Sequence, residues 1–452
     1  MKVFKKILGC ALAASLAFTA FGCGGGSNNG GTNDFVVQIF SGGYGSEMWS
    51  YALKEFEKDH PEYNVQINMS NTVNDAMADD WKDGNEPDFV FLDGKLEKQA
   101  WLESGLLYDF TDWAKTAKVA GEDVTVAQKV NMEYAFKYTD KKGKTITYGM
   151  PLLVSSYGTW YDNALFTKNG WTVPENYAQL KAFTQKNAED KIDMATLIYP
   201  GGNAAGYLVQ GFILPALAEY GQEFYNRVEN ALDAEVYTSE NFKAVMNRFA
   251  EFCSLTNAFK KGSDGIAESL SVNHTQSQIK WLNHEAAFIP NGLWLRKELE
   301  NDIADPKNNS PVKTLAGFEM RYTSSPLTLE KKVIIASSVT CGVAKNAKNQ
   351  KAALEFITYL YRDDVIKKFV EKSDSPSAAT VDLSDVVVSD VLKYTQQVMN
   401  DSSYTFYNHT GSWGDVDSVF NKGVNAIVNG TKTVDEVCNE IAAKAREQLS
   451  GN

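Results

Sequence analysis

HEAAFIPNGLWLRKELE, residues 284–300, is the stretch on which the reading of this fold turns. Ala286, Ala287, Phe288 and Ile289 form an unbroken apolar run, the pattern of a strand buried on both faces. Pro290, Asn291 and Gly292 then predict a stop and a turn. Trp294 follows at the mouth of a helix carrying Leu295 and Leu299, with Arg296 read as a surface residue of that helix. A large aromatic just past the carboxyl end of a strand stands where open α/β sheets keep their ligands. A lone Trp packs into a core at least as often, so its meaning depends on the rest of the chain.

Working outward, strand and helix patterns alternate. Residues 35–40 (FVVQIF) form a strand, SGGYGSE a turn, and Met48, Trp49, Ala52, Leu53 and Phe56 share one face of a helix. His60 and Pro61 stop it, and residues 64–69 alternate as a second strand, so a βαβ unit with parallel strands is expected. PDFVFL (87–92) is a third strand, with Asp93, Gly94 and Lys95 at its carboxyl end. From 148 the sequence YGMPLLVSSYGTWYDNALF loses its charge, as a segment passing between two lobes would. Helical patterns follow to 282, interrupted by the Gly/Asn-rich turn 200–206 before a helix from Tyr207. Residues 332–343 form a late strand, and helices are expected at 349–361, 385–399, 415–428 and from Thr433, where Thr433 and Glu436 form a capping box.

The glycines of SGGYGSE do not make a dinucleotide fingerprint. Gly43 and Gly45 begin one, but the third position is Met48, and no acidic residue closes the second strand. The turn instead delivers Ser41, Tyr44 and Glu47 to the sheet edge. No HExxH, GxSxG or metal-spaced cysteine pair is present, and His60, His274, His284 and His409 are scattered as satisfied surface or interface histidines would be. Asp79, Asp80, Asp83 and Glu86 read as a solvated acidic turn. The motifs call for no catalytic residue, cofactor or metal.

The amino terminus carries an export pattern. Lys2, Lys5 and Lys6 precede an apolar run, 7–20, too short to span a bilayer comfortably. Cys23 and the tether GGGSNNGGTN (24–33) follow. This resembles a bacterial lipoprotein signal, 1–22, in which Cys23 becomes the lipidated first residue. It departs from that pattern at Ala20 and Phe21, and an ordinary secretory signal cleaved nearby is the alternative. Cys253, Cys341 and Cys438 remain, an odd count without close spacing, so no disulfide framework is indicated. A formal charge of −13 argues against nucleic acid and against a basic membrane-binding surface. The 452 residues exceed one compact core.

Fragments in a characteristic order carry a resemblance over essentially the whole chain beyond the tether. They are FEKDHPEYNV, PDFVFLDG with ESGLLYDFTDW, the stretch 148–180, AAFIPNGLWLRKELE, VAKNAKNQKAALEFITYLYRDD and IVNGTKTVDEVCNEIAAKA. The sequence resembles an extracytoplasmic solute-binding protein of an ABC importer, in the carbohydrate-binding family that includes maltose-binding protein. The resemblance implies an α/β, two-lobed periplasmic-binding-protein fold (type II) with three hinge crossings and a ligand cleft between the lobes. Lobe 1 would span 34–150 plus 331–376, and lobe 2 151–330 plus 377–452, with crossings near 148–155, 324–332 and 373–380.

It further implies a monomer outside the cytoplasm, lipid-anchored to the cell membrane, that captures a carbohydrate by hinge closure and hands it to a permease. By position, the implied ligand-binding residues are Ser41, Tyr44, Glu47, Asp93, Lys95, Asn203, Tyr207, Trp294 and Trp413. The chemistry suits a pyranose, whose apolar face stacks on flat aromatics while carboxylates and amides bond its rim. Departures in the loops at Gly43, Tyr44, Leu92 and Asp93 point away from maltose to another mono- or oligosaccharide. The alternative in the same class is a binding protein for a polyamine, iron or an organophosphate, whose cleft would carry a dominant charge. An extracytoplasmic carbohydrate-active enzyme is the more distant one, because paired carboxylates are recognised by a separation that sequence does not give.

Overall fold

The computed structural model describes residues 33–93, 96, 101–102, 104–139, 144–231, 233–258, 265–409 and 413–450. Strands β1 (Asp34–Phe40), β2 (Asn64–Ser70), β3 (Phe89–Phe91), β4 (Phe136–Thr139) and β5 (Thr145–Asp162) come first. Next are β6 (Ala195–Leu197), β7 (Ala286–Gly292), β8 (Met320–Thr323), β9 (Lys332–Val343) and β10 (Tyr404–His409). They join in one sheet ordered β2-β1-β3-β9-β5-β7-β6, with β10 on β9 and both β4 and β8 on β5. β1 pairs parallel with β2 and β3, and β6 parallel with β7. Between these parallel ends, β9 and β5 run antiparallel to each other and to their other neighbours β3 and β7.

The expected βαβ unit at the start is present. Helix Glu47–Asp59 buries Met48, Trp49, Ala52, Leu53 and Phe56, the face read from their spacing. Trp49 meets Phe91 and Phe369 edge-on at 4.6 and 5.0 Å, geometry that aromatic quadrupoles favour.

Two of the core clusters hold most of the buried apolar side chains, and the long strands pass between them. Met150 and Leu152–Val154 of β5 pack with Phe35, Trp49 and Phe356, whereas Tyr161 packs with Phe212, Phe249 and Phe420. Along β9 the order reverses: Val333 and Ile335 join the second cluster, and Val339, Cys341 and Val343 the first. The change of core in β9 falls at 336–338, beyond the stretch 324–332 expected from sequence. Ala378 and Ala379 still pack on the first core, so the last change comes after 373–380. A strand needs no loop to cross between cores, and that is why turn-forming residues mark these places poorly.

Three local expectations are corrected. β7 does not stop at Pro290 but runs on to Gly292, with Pro290 opposite Thr159 of β5. Ile198 N–H donates to Phe288 O at 3.0 Å, which fixes the side of β7 facing β6. Pro290, two residues on, turns its missing N–H to that same side, where β6 has already ended at Leu197. The helix expected at 385–399 begins at Asp390. β10 was not foreseen; its polar sequence YTFYNH pairs with β9 in parallel from Tyr404 opposite Lys332 to His409 opposite Ser337.

Candidate functional site

A cavity of about 530 Å³ lies where β5 and β9 change core, inside the size range of small-ligand sites. Phe40, Gly42, Gly43 and Tyr44 reach it from the end of β1, and Leu92 and Asp93 from the end of β3. Tyr157 of β5 and Ser337, Ser338 and Val339 of β9 also line it. Tyr207, His274, Trp294 and Glu298 come from helical segments, and His409 from the end of β10.

Trp294 is the centre of this site. It is the N-cap residue of helix Leu295–Ala304, directly after β7. Tyr44, Tyr157 and Tyr207 surround its ring at centroid distances of 5.7, 5.4 and 6.2 Å, all close to edge-on. Its six-membered ring packs so tightly on Gly292 that a β-carbon there would come within 2.4 Å of Cη2. Glu298, one turn further along the helix, shares its face.

Asp93 is held from behind by a relay. Trp81 Nε1 donates to Gln38 Oε1 at 2.9 Å, Gln38 Nε2 to Asn74 Oδ1 at 2.9 Å, and Asn74 Nδ2 to the Asp93 carbonyl at 2.9 Å. Gln38 is wholly buried, so its pairing avoids the cost of an orphaned amide.

Burial sets the protonation of the lining. It pushes the Tyr44, Tyr157 and Tyr207 hydroxyls above the ordinary tyrosine range, and the charge of Asp93 adds to each. They therefore stay phenols and keep a proton to donate. The Tyr44 hydroxyl is buried at the cavity edge, near Ser155. Burial also raises the Glu298 carboxyl to about 8, against the opposing hydrogen bond from Gln278. It lowers the His274 imidazole.

Tyr44, Asp93, Tyr207 and Trp294, expected from sequence, come together in this cavity. Its lining, among the described residues, does not include Ser41, Glu47, Asn203 or Trp413. Ser41 continues the β1–β2 ladder by donating its N–H to Ser70 O at 3.1 Å. Glu47 and Asn203 are exposed. Trp413 is 2% exposed and stacks on Phe420 in the second core, meeting His409 edge-on at 5.9 Å. An aromatic ahead of a helix can turn to cleft or core, and this one turns to the core. Lys95 and Cys23 lie outside the described residues.

Tyr157, His274, Glu298, Ser337 and His409 were missed. Glu298 alone had a signal, the i, i+4 spacing from Trp294. One set of metal-ligating atoms, His60, Glu62 and Glu355, lies within 4.8 Å among the described residues. There Lys351 and Tyr63 already donate to Glu355, at 2.7 and 2.5 Å. A larger cavity, about 800 Å³, lies behind helix Leu295–Ala304, lined by Arg296, Glu300 and Ser389 among others.

Two lobes that share long strands, with an aromatic-lined cavity at the shared segment, define a protein that encloses a small solute. The chain belongs to the bacterial extracellular solute-binding proteins, whose family profile matches residues 41–367. The diacetylchitobiose binding protein NgcE of Streptomyces coelicolor is 22% identical over 348 residues, covering 75% of this chain and 68% of that protein. Apo RafE from Streptococcus pneumoniae superposes with a TM-score of 0.66 at 15% identity, over 92% of this chain and 98% of its own. The substrate-binding protein Lmo0181 from Listeria monocytogenes, solved with cycloalternan, gives 0.66 at 17% identity, over 92% and 99%. At these identities the superpositions establish the fold. Among the described residues no helix is long and apolar enough to cross a membrane.

Proposed function

We propose that this protein is the substrate-binding lipoprotein of an ABC importer, tethered to the cell membrane through Cys23, which captures a carbohydrate by hinge closure and delivers it to the permease. Trp294 at the middle of the cavity is the observation that carries this reading. A flat indole ringed by hydroxyls, carboxyls and imidazoles matches a pyranose, apolar on its face and polar on its rim. The diacetylchitobiose-binding relative supports the same ligand class.

Tyr44, Asp93, Tyr207 and Trp294 are the ligand-binding residues of this reading, joined by Tyr157. Lobe 1 forms around the first core and lobe 2 around the second. β5 and β9 serve as hinges where they change core. Ligand shifts the open–closed equilibrium by the contacts it makes only in the closed form.

Titration of the purified full chain with a saccharide panel, read by tryptophan fluorescence and thermal shift, tests the proposal. Amino acids, polyamines and organophosphates serve as controls. A saturable response to one saccharide, lost in Trp294→Ala and without product formation, is expected. A response confined to charged solutes, or consumption of a glycan, would overturn the reading.

A further inference from the structure

The helix that brings Tyr207 to the cavity is not α-helical throughout. Between the α-helical pieces Gly206–Leu208 and Leu214–Ala218, Val209–Ile213 form a π turn, in which Leu214 N–H donates to Val209 O. The wide turn takes up one extra residue. Tyr207 is thereby rotated by about 100° from where an unbroken α-helix would aim it, relative to the buried residues Leu214 and Leu217. Pro215 marks the cause: it has no N–H, so Gly211 O loses the donor that an α-helix would supply from four residues on.

Side chains from outside the helix meet the carbonyls of this turn. Thr159 Oγ1 of β5 donates to Gly211 O at 3.2 Å, and Ser325 Oγ, between β8 and β9, donates to Phe212 O. Both side chains are wholly buried, and Ser325 Oγ also accepts from Leu327 N at 3.1 Å. Gly211 permits the approach, since a β-carbon there would lie 3.0 Å from Pro290 Cβ and 3.1 Å from Gly158 O. Thr159 stands opposite Pro290 in the β5–β7 register, so one patch holds the turn against both strands.

That patch is tied to the cavity at two points. Gly211 follows Tyr207 by one turn, and Pro290 precedes Trp294 by four residues on β7 and its continuation. The rings of Tyr207 and Trp294 stand 6.2 Å apart in the cavity wall. Neither Thr159 nor Ser325 belongs to the lining given by the described residues. We propose that Thr159 and Ser325 are positioning residues of the cleft, which hold the π turn and so aim Tyr207 at Trp294. The inference rests on this cavity being the solute site, and not on the solute being a sugar.

Fluorine NMR of the full chain labelled with 3-fluorotyrosine, without added solute, tests this, and Tyr207→Phe identifies the Tyr207 signal. Thr159→Val and Ser325→Ala each remove one hydroxyl, and Pro215→Ala returns the N–H that an α turn needs. All three should displace the Tyr207 signal while a tyrosine of the first core, such as Tyr361, stays in place. Thr159→Ser keeps the hydroxyl and should restore the wild-type position. In calorimetric titration with diacetylchitobiose, raffinose and maltose, any that binds should lose about five- to tenfold in affinity in Thr159→Val. The same substitution on a Tyr207→Ala background should cost under about twofold, because the effect passes through that ring. Ser325→Ala takes the place of Thr159→Val should the latter fail to fold. A Tyr207 signal unmoved in the folded variants would overturn the inference, and so would equal affinity losses on the two backgrounds. If none of the saccharides binds, the spectra alone decide the inference, and it is the carbohydrate reading that weakens.

Discussion

Glu298 and Gly43 face each other across the cleft: a β-carbon at position 43 would lie 3.1 Å from Glu298 Oε1 and 3.0 Å from Trp294 Cβ. The turn after β1 therefore meets the helix that begins at Trp294 at a point where no side chain fits. Gly43→Val should block that approach while leaving each core intact. Ligand affinity is expected to fall at least about tenfold, or ~1.4 kcal/mol. The ligand-free melting temperature should stay within about 2 °C. Calorimetry and thermal unfolding of the same variant check the two parts, and an unchanged affinity would mean that the lobes do not close through this contact.

Glu298 makes stability depend on pH in a predictable direction. Burial raises its carboxyl from the ordinary 4.5 to about 8, so the folded chain holds a proton that the unfolded chain releases. The associated stability is complete below pH 4.5 and drains away as pH rises through 8, at ~1.4 kcal/mol per unit. Asp302, raised to about 6, contributes in the same sense at lower pH, and His274, lowered by burial, in the opposite sense below its ordinary value. The interval from pH 6.5 to 8 isolates Glu298 within this cluster. Wild type should lose melting temperature across it, and Glu298→Gln should remove most of the slope. Parallel slopes in the two proteins would refute the assignment.

The sequence made the architecture legible where burial leaves a period. The five apolar residues of helix Glu47–Asp59, the all-buried run 286–289 and the strand Lys332–Val343 were each read from spacing or composition alone. Thr433 and Glu436 bond as a capping box, with Glu436 Oε2 accepting from Thr433 N at 2.8 Å. The lining of the candidate site was legible only in part. Tyr44, Asp93, Tyr207 and Trp294 follow strands or a marked turn, places where ligand contacts are expected. His409 is invisible to such reasoning because its partner Glu229 is 180 residues away and its strand is polar. Trp413 shows the converse, since nothing local distinguishes an aromatic that faces a cleft from one that faces a core.

Asp88 fastens three parts of the first core. Its Oδ2 accepts from Val36 N at 2.8 Å in β1, and its Oδ1 from Asn349 N at 2.7 Å, at the N-cap of helix Gln350–Leu360. The side chain is almost wholly buried. Asp88→Ala leaves two backbone donors without acceptors and should cost about 2–5 kcal/mol. Asp88→Asn keeps one acceptor oxygen and should cost roughly half as much. Denaturant unfolding distinguishes them, and equal losses would show that packing rather than hydrogen bonding dominates here.

Arg296 is more than the surface residue its helix pattern suggests. Its guanidinium lies 2.8 Å from Glu300 on its own helix and 2.9 Å from Asp374, which ends helix Asp363–Ser373 of the first core. Ser389 Oγ donates to the same Asp374 oxygen at 2.7 Å. The pair thus ties the helix that carries Trp294 and Glu298 to a helix of the first core, along the edge of the larger cavity. A partly exposed ion pair of this kind adds about 1 kcal/mol to global stability. It joins helices packed in different cores, however, so its loss falls on their relative placement. Arg296→Met keeps the aliphatic stem and removes only the tie. Affinity for the saccharide should drop about three- to tenfold, with a melting-temperature change under about 3 °C. Asp374→Asn should do the same, and the double variant should lose no more than either single one, because all three break one contact. Additive losses would show that the two residues act separately and that the tie does not hold the cleft.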